Sequence, residues 1–464
     1  MKIYNTLTKE REEFVPAEVG TVKMYVCGPT VNKNIHIGNA RPMVFFDAAR
    51  RYLEYKGYAV NFVTNFTDID DKIIKAANEE GVDFLAVSEK YMADALAQSD
   101  GLNVKRATAY PRVTEEIDGI IEMIEALIAK GFAYETGGSV FFETSRFSAY
   151  GKLSGKRQKE LEAGARVEID PNKRSPMDFV LWKPAKPGEP KWPSPWGEGR
   201  PGWHIECSVM AKKYLGDSID IHAGGEDLVF PHHENEIAQS ESANEKPFAK
   251  YWLHNGMICV GNKKMAKSEG NFIRVCDITK EFSPDVLRFF ILAAHYRSPL
   301  NFSRELMAAA ENSLMRVRNC YADLKHQASS ASDFLNDDRV CEGLDKFRTM
   351  FEEAMNDDFN TANAITAIFE LIKFININIT ADSPKQSAES AAALLAELCG
   401  VLGIKPEAEE GFADESAISA LIEERQAARA ARDFAKADEI RGRLSGMGII
   451  LKDTAEGVKW LRKA

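Results

Sequence analysis

The chain has no apolar run of the roughly 18 residues that a membrane span needs. Its first residues, MKIYNTLTKEREEF, carry no apolar signal core, so secretion is not expected. Cysteine is sparse: seven in 464 residues, at 27, 207, 259, 276, 320, 341 and 399, with no CxxC pair. An odd, scattered set excludes a disulfide scaffold and fits free thiols in a reducing cytoplasm. Positive charge is not in excess: 59 Lys and Arg stand against 70 Asp and Glu, a net −11. That argues against indiscriminate nucleic-acid binding, although a local basic stripe would suffice for a specific one. Internal repeats and low-complexity tracts are also missing. What remains is an ordinary globular composition, 45% hydrophobic and 28% charged, in a chain too long for one core.

The order of patterns predicts an α/β protein. TVKMYVCG (21–28) reads as a buried strand, NARPMVFFDAARRYLEYKGY as a helix, and VNFVTNFTDID (60–70) as a second strand. Strand, helix, strand over some 45 residues is a βαβ unit and implies a parallel sheet. Residues 71–130 read as mostly helical. From 131 to 202 a hairpin pattern (FAYETGGSVFFET) leads into a Pro, Gly and Trp-rich stretch, expected to be an insertion ending in a mobile loop. The sheet is expected to resume at 217–223, followed by a helix through 232–244. The predicted divisions are 1–130 and 203–302 for a Rossmann-like sheet domain, 131–202 for a connective insertion, 303–402 for a helical bundle and 403–464 for a small C-terminal α+β unit.

Chemistry concentrates in WHIECSVMAKKYLGDSIDIHAGGEDLVFPHHENE (203–236), which holds four of the eight histidines. Cys207, His232 and Glu236 offer thiolate, imidazole and carboxylate, a donor mix that zinc accepts. His232 and Glu236 are four apart and share a helix face. Cys27, at the end of the first predicted strand, is the candidate fourth ligand on chain order alone. Buried core thiols are the ordinary alternative for both cysteines. HIGN (36–39) places a glycine and two donors, His36 and Asn39, where a helix begins. A helix N-terminus approached through Gly38 suits a phosphate, while a plain capped turn is the alternative. KMAKS (264–268) puts Lys264 and Lys267 in a loop able to bring two cations to a polyphosphate, or simply to sit in solvent. Near the end, Arg425, Arg429, Arg432 and Lys436 are spaced to share one helix face. From 425 onward ten Lys and Arg stand against five Asp and Glu, and with Trp460 this suggests a surface for single-stranded RNA.

CGPTVNKNIHIGNARP, NFTDIDDKIIK, SPWGEGRPGWHIECS, DIHAGGEDLVFPHHENEIAQSE, KYWLHNG, KMAKSEGN and RDFAKADEIRGRL, in this order, resemble the bacterial cysteinyl-tRNA synthetases, class I enzymes with HIGH and KMSKS signatures. The resemblance covers nearly the whole chain. Asn39 replaces the second histidine of one signature and Ala266 the serine of the other. It implies a Rossmann-like catalytic domain with an insertion, a helical tRNA-binding bundle and a C-terminal anticodon-binding domain. It also implies a ligase that uses ATP with Mg²⁺, L-cysteine and tRNA(Cys), in the cytoplasm, as a monomer, without a membrane. Zinc is implied at Cys27, Cys207, His232 and Glu236, with a role in recognising the substrate's sulfur. Glu236, the hardest donor, is expected to bind it most weakly. The amino-acid pocket is implied at Gly28, Thr30, Trp203, His204, His222 and Asp227. Phosphate contacts and electrostatic catalysis fall to His36, Gly38, Asn39, Lys264 and Lys267. His233 is expected to support the metal or line the pocket. Some relatives make cysteine persulfide with pyridoxal phosphate at lysines matching Lys72, Lys75, Lys264 or Lys267. Two rivals remain at this stage: a ligase joining cysteine to a small amine, and an RNA-binding protein without catalysis.

Overall fold

A computed structural model describes residues 1–156, 171–261, 263–265, 271–330, 338–380, 383–407, 415–431, 433–446, 449–454 and 457–462. The chain divides into two compact units. The first comprises Met1–Pro284, Ala294–Ser303 and Ala354–Ala362. The second comprises Asp285–Ala293, Arg304–Glu353 and Asn363–Ala464.

The first unit is built on a four-stranded parallel sheet of β1 (Thr21–Val26), β2 (Ala59–Thr64), β3 (Ile219–Gly225) and β4 (Ala249–Asn255), in the order β4-β3-β1-β2. Val22, Met24, Tyr25 and Val26 are all buried, as expected of a strand covered on both faces. Helix α1 (Ile37–Tyr55) connects β1 to β2, and α3 (Glu234–Asn244) connects β3 to β4. The two crossovers leave the sheet centre in opposite directions. Right-handed connections therefore put their helices on opposite faces and open a crevice between the carboxyl ends of β1 and β3. Cys27 follows β1, and Glu226 and Asp227 follow β3, so the crevice is where the predicted ligands converge. Helix α2 (Trp203–Leu215) brings Cys207 to the same place.

The insertion is an antiparallel sheet of Ala133–Thr136, Ser139–Phe142, Phe179–Pro184 and Gly199–Pro201. The stretch expected to be a mobile loop instead returns as a strand, with Trp192 bridged to Gly199. Its tryptophans are packing residues: Trp196 meets Trp182 edge-on at 6.0 Å and Trp192 meets Phe84 at 6.4 Å. That apolar anchoring is what the Pro and Gly content concealed.

The second unit holds helices Arg304–Ser330, Asp338–Asn356 (whose last turn belongs to the first unit), Thr361–Asn378 and Lys385–Val401. All four lie within 303–402, the stretch predicted to be a helical bundle. Helices Glu415–Ala430 and Phe434–Gly446 and a hairpin of Ile449–Thr454 with Gly457–Arg462 complete the same unit. No described helix is long and apolar enough to cross a membrane.

Candidate active site

Four donor atoms face one another in the crevice. Cys27 Sγ is 3.7 Å from Cys207 Sγ and 3.5 Å from Glu236 Oε1. His232 Nε2 is 3.6 Å from Cys207 Sγ and 3.0 Å from Glu236 Oε1. Donors at zinc's usual bond lengths around a tetrahedron stand about 3.8 Å apart for two sulfurs, about 3.5 Å for sulfur with nitrogen or oxygen, and about 3.3 Å for nitrogen with oxygen. The observed spacings follow that order, so the residues fit a zinc ion. A second set, Cys27, His222, His233 and Glu236, also has its donors within 4.8 Å of one another. In that set the His233–Glu236 edge is 3.9 Å and the His233–Cys27 edge 3.2 Å, a less even figure. Glu236 Oε1 lies as close to its neighbours as the thiols do, so the spacing does not single it out as a weak ligand.

Burial and mutual charge set the protonation of this cluster. Burial pushes the Cys27 thiol well above its usual value, followed by its contacts with Cys207. The hydrogen bond from Cys27 leads in pulling Cys207 down to about 6, and His232 adds to it. Burial disfavours charge on His232, but Glu236 and Cys207 beside it together outweigh burial and lift it to about 10. Glu236 is likewise buried, yet His222 and His232 hold it well below the usual carboxylate range. A metal would therefore compete with protons on Cys27 and His232.

The surrounding residues hold these ligands in place. His204 Nδ1 is 2.9 Å from His232 Nδ1, and burial keeps His204 neutral, so it accepts from the His232 ring. Trp203 stacks on His232 at 4.4 Å between ring centres and is 40% exposed, forming a wall of the crevice. His222 is fully buried, stacks on Tyr25, and stands 3.0 Å from Glu236 Oε2. His204 and His222, expected in the pocket lining, thus touch metal-donor residues. Gly28 N–H donates to Asn65 Oδ1 at 2.9 Å, and any Cβ on Gly28 would overlap the Asn65 carbonyl oxygen. Thr30 pairs with Thr67, extending the sheet edge. Asp227 is exposed beyond β3. Asn65, His254 and Glu206 were not singled out from sequence. Asn65 sits in the NFTDID motif, which was the available signal.

The predicted phosphate turn is a capping box. His36 is the N-cap of α1; its Nδ1 accepts from Asn39 N–H at 3.3 Å, and Asn39 Oδ1 accepts from His36 N–H at 3.2 Å. With Nδ1 accepting, the ring proton lies on Nε2, directed away from the cap. Burial, then Lys33, lowers His36 to about 4, so it is a neutral donor near pH 7. Asn39 performs the cap with its oxygen and backbone N–H, which leaves its amide hydrogens outside the cap. The segment after KMAKS is stitched to this turn: Ile37 N–H donates to Ile273 O and Val275 N–H to Ile35 O, each at 3.0 Å. Met265 reaches Gly38 so closely that a Cβ there would lie 3.1 Å from its methyl. The Lys264 backbone pairs with Cys259. Ala266 and Lys267 lie outside the described residues.

Asp70 caps the helix Asp71–Glu80, and Asp71 pairs with Lys183 and Arg200, while Asp68 accepts from Thr114. Lys72 and Lys75 are exposed on that helix. The basic face near the C-terminus needs correction. The helix ends at Ala430 and Asp433 caps a new one from Phe434, its carboxylate accepting from Lys436 N–H at 3.1 Å. The four basic residues therefore do not lie along one helix. Arg425 is buried, Arg429 and Lys436 are exposed, and Lys436 pairs with Glu424 at 2.9 Å. Arg432 lies outside the described residues, and Trp460 is placed opposite Leu451 in the hairpin.

A parallel sheet that joins a capped HIGN turn and a thiol–imidazole–carboxylate cluster at its switch point has the architecture of a class I aminoacyl-tRNA synthetase. The family profile described as "tRNA synthetases class I (C) catalytic domain" matches residues 13–312, the DALR domain profile 350–405, and the "Cysteinyl-tRNA ligase anticodon binding domain" profile 415–460. The chain belongs to the cysteinyl-tRNA synthetase family. It is 55% identical over 472 residues to the cysteine-tRNA ligase of Lachnospira eligens and 53% identical over 465 residues to that of Clostridioides difficile, with 100% of both chains covered in each case. Among solved structures, methionyl-tRNA synthetase of Mycobacterium tuberculosis with methionyl-adenylate is similar at a TM-score of 0.59 and 15% identity, over 84% of this chain and 92% of that one. A putative arginyl-tRNA synthetase of Campylobacter jejuni gives 0.56 at 15%, over 84% and 94%. These two bear on the fold alone.

Proposed function

We propose that the chain attaches cysteine to tRNA(Cys) in two steps and selects cysteine with a zinc ion held by Cys27, Cys207, His232 and Glu236. Full-length identity above one half to cysteine-tRNA ligases supports the reaction. The observation that carries the zinc reading is the convergence of the four donors at the switch-point crevice, with successive spacings of 3.7, 3.6, 3.0 and 3.5 Å around the set. When bound, zinc supplies a soft cation that prefers a thiolate to a serine hydroxyl, where pocket shape alone discriminates such near-isosteres only about 10–200-fold.

In the first step the cysteine carboxylate attacks the α-phosphorus of ATP in line, forming cysteinyl-adenylate and releasing pyrophosphate. No protein nucleophile is needed; the protein positions the reactants and stabilises charge. His36 Nε2–H, the Asn39 amide and the N-terminal turn of α1 meet phosphate oxygens, while Lys264 and Lys267 supply positive charge. Gly38 admits the phosphates close to the backbone. Mg²⁺ accompanies ATP. Gly28, Thr30, Trp203 and Asp227 border the amino acid, while His204 and His222 hold His232 and Glu236. In the second step the terminal adenosine hydroxyl of the tRNA attacks the adenylate carbonyl and releases AMP. Arg429 and Lys436 are the exposed cations proposed to meet the tRNA. The test is charging of tRNA(Cys) with cysteine alongside cysteine-dependent ATP–pyrophosphate exchange. Both should occur. Exchange without charging would favour the small-amine ligase, and absence of both would favour the non-catalytic binder.

A further inference from the structure

A chain of polar side chains runs from the donor cluster to the N-terminal segment. His233 Nε2 lies 3.2 Å from Cys27 Sγ, His233 Nδ1 lies 2.8 Å from His254 Nε2, and His254 Nδ1 lies 2.8 Å from Thr6 Oγ1. Each part is held by its own framework. Gly224 makes room for His233, since a Cβ there would sit 3.1 Å from the ring. His254 is on β4, and Thr6 is fixed to the same strand by its N–H donating to Trp252 O at 2.8 Å. Burial pushes His254 down to about 3, so its ring is neutral.

A neutral imidazole has one N–H and one lone pair, so the direction of donation set at one end of such a chain is carried to the other. A thiolate accepts and does not donate. With Cys27 as a thiolate, His233 Nε2 carries the hydrogen and Nδ1 accepts. His254 Nε2 then donates to it, and His254 Nδ1 accepts in turn from the Thr6 hydroxyl. Every atom of the chain is satisfied in this direction. We propose that Thr6 and His254 are positioning residues that fix the tautomer of His233, so that its Nε2–H is aimed as a hydrogen bond at the Cys27 sulfur and strengthens metal binding there. His233 stands one step behind the ligand Cys27, where losing the hydrogen bond typically changes metal affinity about 10–100-fold, and His254 acts on the metal through it.

This inference rests on the zinc reading above, and the test separates the two. Zinc affinity of the full chain is measured by competition with a chelator of known strength, for wild type, His254→Gln and His254→Leu. Glutamine can still donate to His233 Nδ1, whereas leucine cannot. The expected result is affinity within a few-fold of wild type for His254→Gln and at least about tenfold weaker for His254→Leu. In parallel, nitrogen-15 spectra of the zinc-loaded, histidine-labelled wild type should show His233 and His254 both protonated at Nε2. A His233 ring protonated at Nδ1 would overturn the proposal and point to the Cys27, His222, His233, Glu236 ligand set instead. Equal affinity of wild type and a folded His254→Leu would also overturn it while leaving the zinc reading intact. Should His254→Leu not fold, the spectrum of the wild type decides alone. A wild type that binds no zinc would overturn both.

Discussion

Cys27 and His232 carry protons in the metal-free cluster, one because burial disfavours its thiolate and the other because Glu236 and Cys207 together outweigh burial. A metal must displace both. Zinc binding near pH 7 should therefore release about two protons, measurable by calorimetry in buffers of different ionisation heat. Affinity should weaken as pH falls. Below about 6, where Cys207 also takes up a proton, the slope should steepen by about one further proton. A pH-independent affinity would contradict this protonation scheme. Ligand identity is tested by substitution: Cys207→Ser should lose zinc and raise the KM for cysteine sharply, whereas His222→Gln should keep the metal. Loss of zinc in His222→Gln with retention in Cys207→Ser would select the other donor set. Three of the four donors were legible from their chemistry and the His232–Glu236 spacing. Cys27 was only a guess from chain order, because 180 residues of intervening sequence carry no trace of which strands become neighbours.

At the scale of elements, the junction of β1 and α1 does most of the positioning. Arg41, buried in the first turns of α1, donates to the carbonyls of Gly256, Met257, His295 and Ser298 at 2.5–3.3 Å. These carbonyls belong to segments flanking β4 and following helix Pro284–Leu292, so one guanidinium ties the phosphate turn to the base of the lysine loop. Burial lowers Arg41 to about 10, still charged at neutral pH. Arg41→Leu should take one donor from each of these carbonyls, of which Gly256, Met257 and His295 keep another from Asn255 Nδ2, Leu300 N–H and Ser298 N–H, and lower stability by about 1–3 kcal/mol, seen as a drop in the urea midpoint. A midpoint within experimental error of wild type would contradict that role. The helix and strands here were legible because periodicity and capping residues are local. The four basic residues were read onto one helix face because their spacing suggested continuity, while Asp433, a strong N-cap residue, signals a new helix at Phe434. The strand Gly199–Pro201 was missed because the Pro- and Gly-rich stretch between it and its partner Phe179–Pro184 reads as loop, and tryptophan packing rather than pattern holds it.

For the whole molecule, the catalytic-domain and anticodon-binding-domain profiles match separate parts of the sequence. Arg429→Glu with Lys436→Glu should raise the KM for tRNA(Cys) at least several-fold and leave cysteine-dependent pyrophosphate exchange near wild type. Equal loss of both activities would argue against a tRNA-contact role. The fold class was readable from the order of patterns, and the reaction from motifs long enough to mark a family. The metal's purpose is the central claim. Its most direct test is cysteine-dependent ATP–pyrophosphate exchange by the full chain before and after removal of zinc, with serine as the competing amino acid. The account predicts that removal abolishes activation of cysteine and that zinc restores it together with discrimination against serine. A zinc-free protein that activates cysteine with unchanged KM and still rejects serine would contradict it.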